Sequence, residues 1–181
     1  MATIDLTPGT LEARARRAYE RGRWTHALKL GLLALPLLCL SGIVPCQTNL
    51  LWVTAPLLFA ALVGFSVRGG EFSAALLPGL LAGLVPFTLP VATRLIGHLC
   101  ESSLCMTICM PACCAGGLFA GASIGLLARA EERPLRFLLA ATLLSVLTGA
   151  MGCSVAGITG IVGMLAATAI TSVPMWLRSR A

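Results

Sequence analysis

Residues 50–67 read LLWVTAPLLFAALVGFSV and contain no charged side chain, and Arg68 follows at once. A helix needs ~20 consecutive apolar residues to cross the hydrocarbon layer of a bilayer, and this segment approaches that length. The stretch therefore predicts a transmembrane helix that ends at a basic residue.

The composition of the whole chain points the same way. Of its 181 residues, 57% are hydrophobic and only 11% are charged, and the mean hydropathy is +0.92. Apolar content of this order in long runs is typical of membrane proteins rather than of soluble domains. The formal charge of +6 is spread over basic residues without aromatic interleaving. We therefore expect the lipid bilayer as a partner, and no nucleic acid.

Polar punctuation separates five further apolar segments, which complete a predicted all-α bundle of six transmembrane helices. They cover residues 27–44, 74–97, 107–128, 137–153 and 157–177. The predicted organisation is a cytoplasmic N-terminal juxtamembrane helix in residues 1–25 and a six-helix domain in residues 26–178. Three prolines predict that the third span is the least regular one. The connection between the fifth and sixth segments is very short, so an alternative is that these two segments form a re-entrant pair rather than two full spans.

Basic residues predict the orientation of the bundle. In a topology with six spans, all of the 13 lysines and arginines except Arg94 lie on the same side of the membrane. Loops rich in lysine and arginine stay in the cytoplasm. We expect a multi-pass protein of the bacterial inner membrane with both termini cytoplasmic.

The same six-span topology places the eight cysteines on the external half of the bundle. They are Cys39, Cys46, Cys100, Cys105, Cys109, Cys113, Cys114 and Cys153. In a bacterium that half faces the oxidising periplasm, where disulfides form and persist. This cysteine-rich outer rim is the principal candidate for a functional site.

Three interpretations of the rim stay open. Disulfides could staple the outer ends of the helices, with Cys39, Cys46 and Cys100 as candidates, although eight cysteines allow 105 pairings. A soft metal ion could bind Cys105, Cys109 and Cys113, because thiolates favour such ions and helical spacing puts the three on one face. Pro111 is expected to interrupt that register, and the chain has no CxxC pair.

The third interpretation is a thiol sensor. Its candidate residues are Cys105, Cys109, Cys113, Cys114 and Cys153, and reaction of these thiols would bias the packing of the helices. Enzymatic activity is not expected, because no acidic residue lies within a span and no catalytic constellation is present. No cofactor is expected apart from the candidate metal ion.

The N-terminal segment carries the candidate cytoplasmic site. Thr7 and Pro8 are typical of a helix start, and residues 11–23 follow a helical pattern. We expect this helix either to lie on anionic lipid or to bind a cytosolic protein. The candidate partner-binding residues are Leu11, Arg14, Arg17 and Arg21.

The plan as a whole resembles the bacterial six-helix membrane anti-sigma factors. Residues 103–105 (Ser-Leu-Cys), followed by Ile108 and Pro111, resemble the family's cysteine position near the start of the fourth span. Gly152 and Cys153 resemble its second position, although the family has histidine before that cysteine and lacks the six further cysteines. The resemblance implies that Cys105 and Cys153 sense metal or oxidant and release a cytosolic sigma factor.

The sequence thus predicts a non-enzymatic membrane regulator that responds to redox or soft-metal stress. Two alternatives remain: a channel or transporter for soft metals such as copper, mercury or cadmium, and a disulfide-stapled subunit of a larger membrane complex.

Overall fold

Helices make up nearly all of the computed structural model, which describes residues 8–43, 50–97, 104–152 and 157–177. The helices are α1 (Pro8–Gly31), α2 (Ala34–Ile43), α3 (Leu51–Arg68), α4 (Glu71–Ala74), α5 (Leu76–Gly97), α6 (Leu104–Leu127), α7 (Pro134–Gly152) and α8 (Gly157–Leu177). A single 3-10 turn, Ala128–Ala130, follows α6. These ranges contain no strand, which confirms the predicted all-α class.

Within the described ranges, six stretches are long and apolar enough to cross a membrane, as predicted. They are Leu11–Ser41, Leu51–Arg68, Glu71–Leu89, Met110–Ala130, Pro134–Gly152 and Ile158–Leu177. The last two are separate helices of 19 and 21 residues, each close to the length that spans a bilayer. The six-helix bundle is therefore favoured over a re-entrant final pair.

The first span is built from two helices. α1 crosses residue 25 without a break and ends at Gly31, and the chain then turns at Leu32 and Leu33. Pro36 explains the turn, because its nitrogen cannot donate a hydrogen bond to the carbonyl of Leu32. The N–H of Leu35 donates to that carbonyl instead, at 3.0 Å, which tightens the helix locally.

Proline has a smaller effect elsewhere than the sequence predicts. α5 is one continuous helix despite its three prolines, and α6 continues through Pro111. Both predicted irregularities are therefore wrong. Neighbouring helices can support a transmembrane helix at proline. Pro86 is such a case, since it is fully buried and its backbone lies against Gly116 of α6.

Small residues hold the last four spans together. Gly79 and Gly83 of α5 face the backbone of Ala141 and Ser145 in α7. Close approach of backbones through small residues is the usual packing of membrane helices. α7 is the central helix, because 67% of its span is buried against at most 39% for any other described span.

A second small-residue contact joins α6 to α8. Three glycines of α6, four residues apart, lie against three residues of α8 that are also four apart. The pairs are Gly117 with Met164, Gly121 with Thr168, and Gly125 with Ser172. These glycines therefore serve helix packing.

Candidate functional site: the two ends of the bundle

Charged loops meet at one end of the bundle. Glu71, at the start of α4, forms ion pairs with two arginines: Nε of Arg133 lies 3.4 Å from its Oε1, and Nη1 of Arg136 lies 3.9 Å from its Oε2. The connection between α3 and α5 therefore lies beside the connection between α6 and α7. Gly69 and Gly70 make the first connection sharp, with φ of 70° and 59°, which residues with side chains rarely adopt. We call this the charged end.

The last turn of α8 belongs to the charged end as well. Nη2 of Arg129 donates to the carbonyl oxygen of Met175 at 3.2 Å. The final carbonyls of a helix have no partner within the helix, and a basic side chain beside them is favourable. Arg129 therefore ties the end of α6 to the end of α8.

The three cysteines whose side chains the structure describes, Cys39, Cys113 and Cys114, lie toward the opposite end, which we call the cysteine end. Cys113 of α6 is fully buried and disulfide-bonded. Cys114 beside it is half-buried with a free thiol, and its Sγ would lie 3.3 Å from a Cβ added to Gly163 of α8. Cys39 of α2 is exposed and free. α6 thus presents one bonded and one free cysteine where it packs against its neighbours.

The other predicted cysteines lie outside what the structure describes. Cys46, Cys100 and Cys153 fall in the gaps between the described ranges, and only the backbone is described at Cys105 and Cys109. That backbone is helical, so positions 105, 109 and 113 share one helix face, as the spacing predicts. The assignments of Cys105 and Cys153 as sensing thiols stay predictions.

The candidate metal site is not assembled within the described part of the chain. No group of three or more histidine, cysteine, aspartate or glutamate side chains there could hold a metal ion. Metal binding requires a thiolate, and a sulfur in a disulfide cannot supply one. Metal binding by Cys113 would first require reduction of its disulfide.

The first half of α1 stands apart from the bundle. Every residue from Leu11 to Gly22 is exposed, including the four candidate partner-binding residues Leu11, Arg14, Arg17 and Arg21. We call residues 11–22 the α1 arm. Packing begins only further along, where Ala27 is buried and Gly31 lies against Phe59 of α3. The arm is therefore a helical extension of the first span that its own bundle leaves uncovered.

Little within the chain stabilises the arm. Nε of Arg16 lies 3.3 Å from Oε1 of Glu20, but both side chains are largely exposed and such pairs contribute ~0.3–0.5 kcal/mol. Helices shorter than ~12–15 residues are marginal in water without packing. Tyr19 in the arm is 69% exposed and Trp24 just beyond it is 52% exposed, so both add uncovered apolar surface to this part of α1. The arm is therefore accessible to a surface outside the bundle.

Sequence reasoning missed the contacts of Glu71 and Arg129. The ion pair of Glu71 could have been predicted. Glu71 is the acidic residue of a short connection between two spans, and this connection lies on the same side of the membrane as the three arginines of another connection. The bond from Arg129 to Met175 had no such signal, since a backbone carbonyl accepts it.

Comparison with known proteins identifies no relative of the chain. No family model matches the chain, and no curated protein or solved structure matches it either. The resemblance to membrane anti-sigma factors stays a prediction.

Proposed function

We propose that the protein is an integral membrane regulator that senses oxidant or soft metal at its cysteine end and binds a cytosolic protein through the α1 arm. The observation that carries the proposal is the exposed arm, which continues directly into the first span. A helix with four exposed arginine side chains and uncovered apolar residues suits a partner with an acidic surface. A sigma factor is the partner that the anti-sigma resemblance suggests.

Orientation supports this arrangement. The charged end and the arm carry the basic residues, which favours the cytoplasm for both. The cysteine end would then face the periplasm of a bacterium, where its thiols meet oxidants and metals first. Cys105 and Cys153 would react, with Cys109 and Cys114 as neighbouring thiols and Cys113 contributing a thiol only after reduction of its disulfide.

Packing offers a physical route between the ends. α6 carries Cys113 and Cys114, packs along its length against α8, and is tied to the end of α8 by Arg129. α7 lies between this pair and α3, against which α1 packs. Tightly packed helices shift as units rather than deform gradually. A thiol reaction that moves α6 would therefore change the position of α1 and of its arm.

Binding by the arm can be tested by co-purification from crosslinked cells. Replacing Arg14, Arg17 and Arg21 together with glutamine should abolish recovery of the cytosolic partner. Replacing Arg68, Arg133 and Arg136 with glutamine removes the same charge from the loops and should leave recovery unchanged. Equal recovery from both triple variants would refute binding by the arm.

Sensing is tested by transcription after diamide or Cd(II) treatment. Serine at both Cys105 and Cys153 should abolish the response, while serine at the exposed Cys39 should preserve it. A full response in the double variant would rule out these two thiols as the sensor.

The disulfide at Cys113 favours a second candidate, a stapled subunit of a larger membrane complex. In that case membrane proteins would co-purify, and recovery would not change after oxidant treatment.

A further inference from the structure

A cavity of about 420 Å³ opens between α1, α3 and α5 near the charged end. Its origin is geometric. α1 packs closely on α3 through Gly31, whereas the two glycines and the short helix α4 offset α5 from α3. The volume falls within the ~300–1,000 Å³ range of small-molecule sites.

The lining changes character along the cavity. Its polar side chains are His26 in the last two turns of α1, Ser66 near the end of α3 and Ser73 in α4. Its apolar side chains lie one or two turns deeper, with Leu30 at the end of α1 and Leu33 in the turn that follows it. The cavity is therefore polar at the level of the loops and apolar toward the middle of the span.

The position of the cavity favours a ligand that reaches it from the bilayer. Leu77 lines the cavity and is 64% exposed, so the apolar part is open at the side of the bundle. Lipid molecules occupy that side of a transmembrane helix. An amphiphile could enter sideways with its polar group at the level of His26.

A basic residue lies just beyond the polar part. Arg23 precedes His26 by three positions and Leu30 by seven, so the three share one face of α1. Arg23 is half-buried, unlike the exposed arginines of the α1 arm. Basic pockets between transmembrane helices bind anionic lipid headgroups.

We propose that this cavity is a binding site for an anionic phospholipid. Arg23 and His26 contact its phosphate, Ser66 adds a hydroxyl group, and the leucines of α1, α3 and α5 contact one acyl chain. The inference goes beyond the proposed function and does not depend on it, since it requires neither a sensor nor a cytosolic partner.

The test is lipid retention by the full-length protein in detergent. The protein is stripped of lipid, incubated with palmitoyl-oleoyl phosphatidylglycerol or with its phosphatidylcholine counterpart, and weighed by native mass spectrometry. Wild-type protein should retain phosphatidylglycerol in preference to phosphatidylcholine. Arg23→Gln should weaken the retention of phosphatidylglycerol roughly fivefold, whereas Arg21→Gln, on another face of α1, should not change it.

A second pair of variants tests the apolar part. Leu33→Trp adds bulk to the lining of the cavity and should abolish retention, whereas Leu32→Trp, at a neighbouring position that does not line the cavity, should leave retention intact. If Leu33→Trp fails to fold, the comparison of Arg23→Gln with Arg21→Gln still tests the proposal. Equal retention of both lipids by wild-type protein, or no difference between Arg23→Gln and Arg21→Gln, would overturn the proposal.

Discussion

Gly121 of α6 lies directly against Thr168 of α8, so close that a Cβ added to the glycine would collide with the threonine's carbonyl oxygen and with Oγ1 of Thr171. The contact lies in the middle of a stripe of glycines four residues apart. It shows that the glycines of α6 are required by a neighbouring backbone.

The first prediction concerns this contact. Gly121→Ala should destabilise the bundle by ~1–3 kcal/mol, because the obstructing atoms belong mostly to backbone that cannot rotate away. Thermal unfolding in detergent measures the effect. Gly64→Ala is the matched control, since nothing lies within 4 Å of the added Cβ there, and its stability should equal or exceed that of the wild type. Similar melting temperatures for the two variants would contradict the packing of α6 on α8.

The second prediction concerns the ion pairs of Glu71. Glu71→Gln should lower the free energy of unfolding by about 0.5–1 kcal/mol at low salt, because both arginine partners are largely exposed. The difference should shrink as salt is added. Denaturation at two salt concentrations tests this, with the exposed Glu132→Gln as control. A loss that is independent of salt would show that Glu71 acts through something other than its charge.

The third prediction concerns the described cysteines. In detergent without reductant, maleimide should modify Cys39 fastest and Cys114 more slowly, because Cys39 is exposed and Cys114 is half-buried. Cys113 should react only after reduction and unfolding, since it is bonded and fully buried. Peptide mass spectrometry resolves the three sites. Modification of Cys113 in the unreduced, folded protein would contradict the bond.

The fourth prediction concerns orientation. With the charged end in the cytoplasm, a fluorescent protein fused after Ala181 should fluoresce in bacterial cells. Alkaline phosphatase fused at the same place should be inactive, because its disulfides form only in the periplasm. The two fusions control for each other's expression. An active phosphatase fusion would show that the charged end faces the periplasm, and it would remove the basis for sensing at the cysteine end.

Much of the fold was predictable from the chain because a bilayer leaves few options. Backbone groups within the hydrocarbon layer must bond internally, so an uncharged stretch such as residues 50–67 must be helical. The effect of Pro111 was not predictable in the same way. Whether a proline bends or interrupts a membrane helix depends on the neighbours that support it, and these come from distant parts of the chain.

The candidate site was predictable only in part. Spacing alone placed positions 105, 109 and 113 on one helix face, because the backbone of α6 is regular. Spacing could not predict that Cys113 would be bonded and Cys114 free, since that depends on which neighbours approach each sulfur. The exposed α1 arm was foreseen as a helix but not as a continuation of the first span.

The number of spans and the helical class could be predicted from the chain alone. Both follow from the cost of placing charge or unbonded backbone in lipid, which acts on every segment independently of its neighbours. Four features emerge only from the packed helices: α7 is central, Gly121 lies against Thr168, Glu71 pairs with Arg133, and a cavity opens beside His26. Those contacts join residues far apart in the chain, and their energies depend on shape and distance rather than on composition.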